Sequence, residues 1–348
     1  MKVLSLFDGM SCARIALDRA AIPVTSYKAS ELDKYAIKVS HANYPDIEQL
    51  GDVCDVKAKD VGKIDLLIGD SPCQGFSFAG KQLAFDDPRS ALFFEFVRLL
   101  KEIKPKYFLL ENVKMKQQFQ DVITEQVSAC YPDFEGGDLF GSQIKPILIN
   151  SALLSAQNRQ RLYWTNIPNI EQPEDKGIVL RDILEDQISK EFYYKEKSIA
   201  YMERGSDKWA QAKSGRRADG YEQTSDKEKS FTITANWHKG VPYNYFKETK
   251  PNQINPSKKA GGKQPYMQDR VFHKEGKSHA LTESFASRTH VGEENNLSWR
   301  KLTPLECMRL QTVPDDYLMP VSNSQKYKLL GNGMTVDVIA HILNNMKL

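Results

Sequence analysis

The sequence has only five cysteines, and no two of them are spaced as a C-x-x-C pair. This spacing argues against a zinc site and against a disulfide framework, and it suits a reducing compartment. The sequence also has no apolar run of membrane-spanning length, and its start, MKVLSLFDGM, is without the long apolar core of a signal peptide. We therefore expect a cytoplasmic protein that uses neither a metal nor a membrane.

The sequence has little net charge, because 48 Lys and Arg face 45 Asp and Glu, a balance of +3 over 348 residues. The charge is nevertheless unevenly spread, since residues 201–290 carry +7 and the remainder carries −4. A local basic excess is typical of a surface that meets a polyanion, although a solvated face is the commoner explanation.

Strand-like and helix-like segments alternate through the first half of the chain. Short apolar segments such as KVLSLF (2–7), KIDLLIG (63–69) and KYFLLENV (106–113) read as buried strands. Between them lie amphipathic segments, of which ALFFEFVRLLKEI (91–103) is the strongest and stops before Pro105. The alternation predicts an α/β, Rossmann-like fold with a parallel sheet, whose ligands sit at the carboxyl ends of the strands.

The composition changes after residue 168. Residues 169–299 are rich in Lys, Gly, Ser, Asn and Tyr and have weak periodicity, whereas helical patterns return from Arg300 onward. We predict a discontinuous catalytic domain over residues 1–167 and 299–348. A second, smaller, loop-rich domain over residues 168–298 interrupts it.

The turn after the first strand, LFDGMSC, contains only Gly9, so the G-x-G-x-x-G fingerprint of a dinucleotide site is absent. The second strand ends in Ser30 and Glu31, where folds of this kind place an acid on a ribose diol. Asp52 follows the third strand region, where a carboxylate suits an adenine amino group. Three such strand ends predict an adenosine cofactor without a pyrophosphate, which is S-adenosylmethionine.

Three further segments carry reactive groups. Cys73 lies in the strand-end turn GDSPCQG, where it is either a buried structural thiol or a nucleophile activated by a helix N-terminus and nearby cations. Glu111 ends the apolar strand LLENV and is either a helix cap or a proton donor, because apolar surroundings favour the protonated carboxyl. Arg159 and Arg161 alternate in QNRQR, which reads as an exposed sheet face or as a row of donors for a base and phosphates.

The order and spacing of these segments resemble the cytosine-5 DNA methyltransferase family. GDSPCQGFS, ENV, QNRQR and the Gly-Asn pair at 331–332 stand in the family's order, and the resemblance covers about 1–166 and 299–348. Two departures are FDGMSC, where Phe-Ala-Gly-x-Gly-Gly is commoner, and Gly333, where serine is usual.

The resemblance implies an active enzyme that methylates carbon 5 of a flipped-out cytosine in double-stranded DNA. It implies a catalytic set made of Cys73, Glu111, Arg159 and Arg161. It also implies cofactor contacts by ten residues: Phe7, Asp8, Gly9, Glu31, Leu32, Asp52, Val53, Asp70, Pro72 and Asn332. We expect a monomer associated with the nucleoid or encoded by a phage. A cognate restriction endonuclease is a further candidate partner.

Two alternatives use similar motifs. A transfer RNA methyltransferase tends to carry threonine where Ser77 stands and lacks so large a middle domain. A non-catalytic regulatory relative would not need Cys73, Glu111 and Arg161 together. In the favoured DNA enzyme, the middle domain selects the sequence, lysines contact phosphates, and candidate base readers are Arg216, Arg217, Asn236 and Arg288.

Overall fold

A computed structural model describes residues 1–70, 91–134, 143–193, 230–231, 245–247, 288–293 and 296–347. The strands in these ranges are β1 Lys2–Leu6, β2 Ser26–Ser30, β3 Glu48–Gln49, β4 Leu66–Asp70, β5 Tyr107–Val113, β6 Ile147–Asn150, β7 Gln157–Asn158, β8 Gln160–Thr165, β9 Ser230–Phe231, β10 Tyr245–Lys247, β11 Arg288–Glu293 and β12 Asn296–Arg300. The α-helices are α1 Cys12–Arg19, α2 Lys34–Asn43, α3 Ala58–Val61, α4 Ala91–Ile103, α5 Gln117–Ser128, α6 Pro304–Leu310, α7 Asn323–Asn332 and α8 Val336–Leu343.

Seven strands form the main sheet in the order β3-β2-β1-β4-β5-β8-β6. The first five are parallel to one another, and β8 runs antiparallel to both β5 and β6. Leu6 at the end of β1 pairs with Ser30 of β2 and with Gly69 of β4, so these strands end level with one another. The predicted α/β sheet is confirmed, with an antiparallel strand added at one side.

The sheet is buried on both faces, because neighbouring side chains along a strand point to opposite sides. Val3 packs into a core cluster with α1, α2 and α8, whereas Leu4 packs into a second cluster with α4 and α5. Leu66 and Leu67 divide between the same two clusters. The continuous apolar runs of the sequence therefore follow from burial on two faces.

Local signals explain several helix boundaries. Asp33 caps α2 by accepting a hydrogen bond from the Tyr35 amide at 2.9 Å. Helix α6 begins with a capping box in which Thr303 and Glu306 satisfy each other's backbone amides, and Pro304 occupies its first turn.

Residues 168–193 pack against the core cluster of α1 and α8, and Tyr193 lies beside Arg300 at the end of β12. Leu180 and Ile183 belong to the cluster of α1 and α8. Tyr193 forms an antiparallel bridge with Arg300, and the Lys301 amide donates to the Phe192 carbonyl at 2.8 Å. The segments that contain Tyr193 and Arg300 therefore lie side by side.

Strands outside the main sheet form two small groups. β9 pairs in parallel with β7, and β10, β11 and β12 form a three-stranded sheet. Arg288 begins β11, whereas Arg216, Arg217 and Asn236 lie outside the described residues. Within the described ranges, no helix combines the length and apolar character needed to cross a membrane.

Candidate active site

The predicted cofactor loop after β1 is a tight turn with three left-handed backbone positions. Phe7, Gly9 and Ser11 have φ values of 58°, 59° and 61°. A left-handed conformation costs a residue with a side chain about 1 kcal/mol or more, so contacts must hold Phe7 and Ser11 there. The turn brings the Gly9 amide to within 2.8 Å of Glu31 Oε2, which joins the ends of β1 and β2.

Ser11 stands where glycine is commoner in the family that the sequence resembles. Hydrogen bonds of its hydroxyl hold Ser11 in the left-handed conformation. Ser11 Oγ donates to Asp8 Oδ2 at 2.5 Å and lies 2.6 Å from Ser40 Oγ. The Tyr27 hydroxyl donates to Asp8 Oδ1 at 2.6 Å. Burial raises the pKa of Asp8 above its usual range, although these hydrogen bonds oppose that shift. The Asp8 carboxyl thus accepts hydrogen bonds from within the loop and from β2. Its cofactor contact stays a prediction.

Glu31 orders the next strand end through both carboxylate oxygens. Oε2 accepts from Gly9, and Oε1 accepts from the amides of Leu32 at 2.7 Å and Asp33 at 2.8 Å. A carboxylate has about four acceptor positions, so Oε2 retains one for a ribose hydroxyl. The Leu32 side chain beside it is 68% exposed and offers an apolar face to an adenine ring.

Asp52 follows β3 at the same edge of the sheet. Its Oδ1 accepts from the Cys54 amide at 2.9 Å, and Ser30 Oγ donates to the neighbouring Gly51 carbonyl at 2.7 Å. These contacts tie Asp52 to the end of β2, which carries Glu31. The Val53 side chain is buried in the core, so its backbone is the part that remains for the predicted contact.

Glu111 and Arg161, which the sequence suggested for separate roles, form a buried ion pair. Arg161 Nε lies 2.9 Å from Glu111 Oε1, and the two side chains are 12% and 2% exposed. Glu111 is on β5, where it pairs with Asp70 of β4 on one side and Tyr163 of β8 on the other. Glu111 and Arg161 therefore lie together beside the carboxyl end of β4.

The segment QNRQR is not one continuous strand, which the prediction of a row of donors assumed. β7 ends at Asn158, β8 begins at Gln160, and Arg159 lies between them with 2% exposure. Arg159 Nη1 donates to the Gly331 carbonyl at 3.3 Å and Nη2 donates to the Gly333 carbonyl at 2.9 Å. Burial, followed by the charge of Arg161, lowers the pKa of Arg159 to about 10, so it remains a cation at neutral pH. Arg159 supports the Gly-Asn turn, whereas Arg161 meets Glu111.

A buried network of polar side chains, which the sequence did not predict, holds the turn at residues 331–333. Gln157 Nε2 donates to Gln311 Oε1 at 3.1 Å, and Thr335 Oγ1 donates to the same oxygen at 3.0 Å. Gln311 Nε2 donates to the Gly333 carbonyl at 3.1 Å. A glutamine after a helix looks solvent-exposed in the sequence, and no local pattern marks Gln311 as buried.

The turn at 331–333 packs closely on the first helix, which accounts for the second departure from the family pattern. A Cβ atom on Gly333 would lie 3.0 Å from Cys12 Sγ and 3.2 Å from the Leu329 carbonyl oxygen. The larger side chain of a serine would crowd both atoms. The preceding Asn332 is exposed, so it can reach a ligand at this edge.

Pro72 and the predicted nucleophile Cys73 lie outside the described residues. Asp70, the last residue of β4, is described and is the register partner of Glu111 on β5, and its predicted cofactor contact stays a prediction. The structure therefore brings the Asp70, Glu111 and Arg161 group and the cofactor-loop group to one edge of the sheet. Within the described ranges, no group of three or more His, Cys, Asp or Glu side chains is placed to hold a metal ion.

The fold has counterparts among solved structures. The structure titled Entamoeba histolytica methyltransferase EhMeth matches with a TM-score of 0.66 over 99% of this chain and 97% of that chain, at 15% identity. The strand order is that of an α/β, Rossmann-like fold. The family model C-5 cytosine-specific DNA methylase matches residues 1–348, so the chain belongs to that family. It is a DNA cytosine-5 methyltransferase.

Curated relatives agree with this family. The chain is 29% identical to the type II methyltransferase M1.ScrFI of Lactococcus lactis subsp. cremoris, over 99% of this chain and 77% of the relative. It is 28% identical to the orphan methyltransferase M.SPRI of Bacillus phage SPR, over 99% of this chain and 97% of the relative. Both a bacterial and a phage relative therefore align along nearly the whole chain.

Proposed function

We propose that the enzyme uses S-adenosylmethionine to methylate a cytosine flipped out of a specific DNA sequence, with Cys73 as nucleophile and Glu111 as acid. The observation that carries this proposal is the buried Glu111–Arg161 ion pair at the carboxyl edge of the sheet. Family membership supplies the reaction. Glu111 in its protonated form is the proton donor that the reaction needs, and Arg161 stabilises the carboxylate that remains after the proton is given.

Carbon 5 of cytosine is a poor nucleophile, so the ring has to be activated. Addition of the Cys73 thiolate to carbon 6 makes carbon 5 electron-rich, and the arriving charge is neutralised when Glu111 protonates ring nitrogen 3. After the methyl group is transferred, solvent takes the carbon 5 proton, the bond between carbon 6 and Cys73 breaks to release the thiolate, and ring nitrogen 3 returns its proton to Glu111. The reacting atoms are out of reach inside a duplex, so the base must leave the stack.

Arg161 holds Glu111 in position and provides positive charge where charge changes during the reaction. Arg159 acts indirectly on the reaction, because its two terminal nitrogens donate hydrogen bonds to the carbonyls of Gly331 and Gly333. Arg159 therefore shapes the turn that carries Asn332, and Arg161 touches the reacting groups.

The cofactor edge fits the adenosine part of S-adenosylmethionine. Glu31 Oε2 keeps an acceptor position for a ribose hydroxyl, exposed Leu32 offers an apolar face, and Asp52 stands beside them. When bound there, the cofactor supplies an electrophilic methyl group. Gly9 and Asn332 complete the predicted contacts from the neighbouring turns.

The predicted second domain is proposed to select the DNA sequence. Residues 168–193 pack on the catalytic core, which favours placing the start of this domain near Tyr193 rather than at residue 168. The bridge between Tyr193 and Arg300 brings the proposed two ends of this domain together, which supports the division. The +7 charge of residues 201–290 suits phosphate binding, which weakens as salt is added. A monomeric state and a partner endonuclease stay predictions.

The function is tested by bisulfite sequencing of plasmid DNA treated with purified protein and S-adenosylmethionine. Conversion-resistant cytosines should appear within one repeated sequence, and transfer RNA treated in parallel should remain unmodified.

Glu111→Gln should slow single-turnover methyl transfer by roughly 100-fold or more. The matched control is Glu125→Gln, because Glu125 is exposed on α5. Rates within a few-fold for both variants would refute the acid role.

The domain proposal is tested by exchanging residues 194–299 for the matching segment of a relative with a different target. The chimera should methylate the relative's target and retain the parent affinity for S-adenosylmethionine. An active chimera that methylates the parent's site would show that selection lies elsewhere.

A further inference from the structure

Asp70, which the family resemblance placed among the cofactor contacts, has no role in the proton transfer described above. It is the last residue of β4 and the register partner of Glu111 on β5. Paired residues of neighbouring parallel strands lie about 5 Å apart with their side chains on the same face. Asp70 therefore lies beside Glu111 across the two strands, and Arg161 Nε lies 2.9 Å from Glu111 Oε1. Two acids and a guanidinium thus form one cluster at the reaction edge.

The charges around Asp70 favour its protonated form. Burial raises the pKa of Asp70 well above its usual range, and both the charge of Glu111 and the hydrogen bond to it act in the same direction. Arg161 and Arg159 oppose this shift from the other side of Glu111. Titratable groups from the surrounding elements that interact with this cluster are Cys12 on α1, Glu111 on β5, Arg159 between β7 and β8, and Arg161 and Tyr163 on β8.

The positions of the neighbouring groups indicate which group accepts a hydrogen bond from Asp70. Arg159 directs its terminal nitrogens to the carbonyls of Gly331 and Gly333, and Arg161 meets Glu111 from the β8 side. Asp70 meets Glu111 from the β4 side, and a protonated Asp70 carboxyl is a hydrogen-bond donor. Glu111 is therefore held between a cation and a neutral acid.

We propose that Asp70 is a positioning residue for the methyl-transfer reaction, whose protonated carboxyl donates a hydrogen bond to Glu111. This inference rests on the proposed function. In the reactive state both carboxyls carry a proton. When Glu111 gives its proton to ring nitrogen 3, the O–H bond of Glu111 breaks, an N–H bond forms, and a negative charge is left on Glu111. Asp70 and Arg161 stabilise that carboxylate, and Asp70 keeps its own proton. Glu111 recovers its proton from the ring nitrogen when the methylated base is released.

Two variants of Asp70 test the proposal in single-turnover methyl transfer on DNA. Asp70→Asn keeps a hydrogen-bond donor that cannot ionise, so its rate at pH 7 should stay within about threefold of the parent. Asp70→Ala removes the donor, and its rate should fall by about tenfold to a hundredfold, the scale of one hydrogen bond to a charged acceptor. The melting temperature of each variant checks that it is folded.

The pH profile separates this role from a structural one. The parent rate should fall as pH rises through the pKa of Asp70, because an ionised Asp70 would repel the carboxylate of Glu111. Asp70→Asn should lose this fall. The proposal is overturned if Asp70→Asn shows the parent profile, if Asp70→Ala reacts at the parent rate, or if both variants chiefly weaken S-adenosylmethionine binding.

A stability measurement does not depend on activity and so separates failure of this proposal from failure of the proposed function. A carboxyl whose folded pKa is raised stabilises the fold fully below its unfolded pKa, near 4, and loses that contribution as pH rises through the folded pKa. The unfolding free energy of the parent should therefore decline more with rising pH than that of Asp70→Asn. Equal declines would show that Asp70 holds no such proton, even if the enzyme methylates DNA.

Discussion

The contact between Gly333 and Cys12 gives a prediction whose size follows from the structure. Gly333 has φ −66° and ψ 153°, which any residue adopts, so alanine there is limited by space and not by backbone strain. Its Cβ would lie 3.0 Å from Cys12 Sγ and 3.2 Å from the Leu329 carbonyl oxygen. Overpacking of this kind costs about 1–3 kcal/mol, and reduced freedom of the unfolded chain returns about 0.4–1 kcal/mol. We expect Gly333→Ala to lower the free energy of unfolding by about 0.5–2 kcal/mol.

Urea unfolding of a double-mutant cycle measures this contact. Cys12→Ala removes the sulfur that the new methyl group would touch, so the two substitutions together should cost at least about 0.5 kcal/mol less than the sum of their separate effects. Cys130→Ala is the control, because Cys130 is also buried but belongs to the core cluster of α4 and α5. Its effect should simply add to that of Gly333→Ala. Equal additivity for both cysteines would refute the steric explanation of this glycine.

Three more predictions concern named carboxyl groups. Glu31→Gln should weaken S-adenosylmethionine binding by about 1–2 kcal/mol in calorimetry, since it loses a charged acceptor; an unchanged affinity would mean that the ribose is held elsewhere. Asp8→Asn should flatten the decline in unfolding free energy that burial of Asp8 predicts as pH rises above about 4, and an unaltered slope would contradict this. Glu306→Gln should cost about 3 kcal/mol or more, because it breaks the buried pair in which Arg300 donates at 2.7 and 2.8 Å; urea unfolding within 1 kcal/mol of the parent would contradict this.

Strong apolar patterns allowed much of the fold to be predicted from sequence. Helix α4 spans the predicted residues 91–103, because its wide apolar face and Pro105 define both its burial and its end. Helices α5 and α7 were missed. Both are largely polar, and α7 buries only scattered positions such as Tyr327 and Leu330. Their stability comes from packing on the sheet, which is not visible locally.

The site could likewise be predicted only in part from the sequence, because contacts between distant segments are not visible locally. Glu111, Glu31 and Asp52 could be placed at strand ends because a parallel sheet brings those ends together. The pairing of Glu111 with Asp70 and Arg161 depends on strand order and register, which periodicity does not give. The break at Arg159 likewise reflects contacts with residues 331–333, which are far away in sequence. Spacing therefore predicts which groups reach an edge, and tertiary structure decides which of them meet.

The most direct test of the account is a covalent trap. A duplex that contains the target sequence, identified by bisulfite sequencing, with 5-fluorocytosine at the methylated position is incubated with the enzyme and S-adenosylmethionine. Because fluorine cannot leave as a proton does, we expect an adduct that survives denaturation, and peptide mass spectrometry should locate it on Cys73. No adduct from an active enzyme, an adduct on another residue, or an adduct that persists in Cys73→Ala would contradict the account.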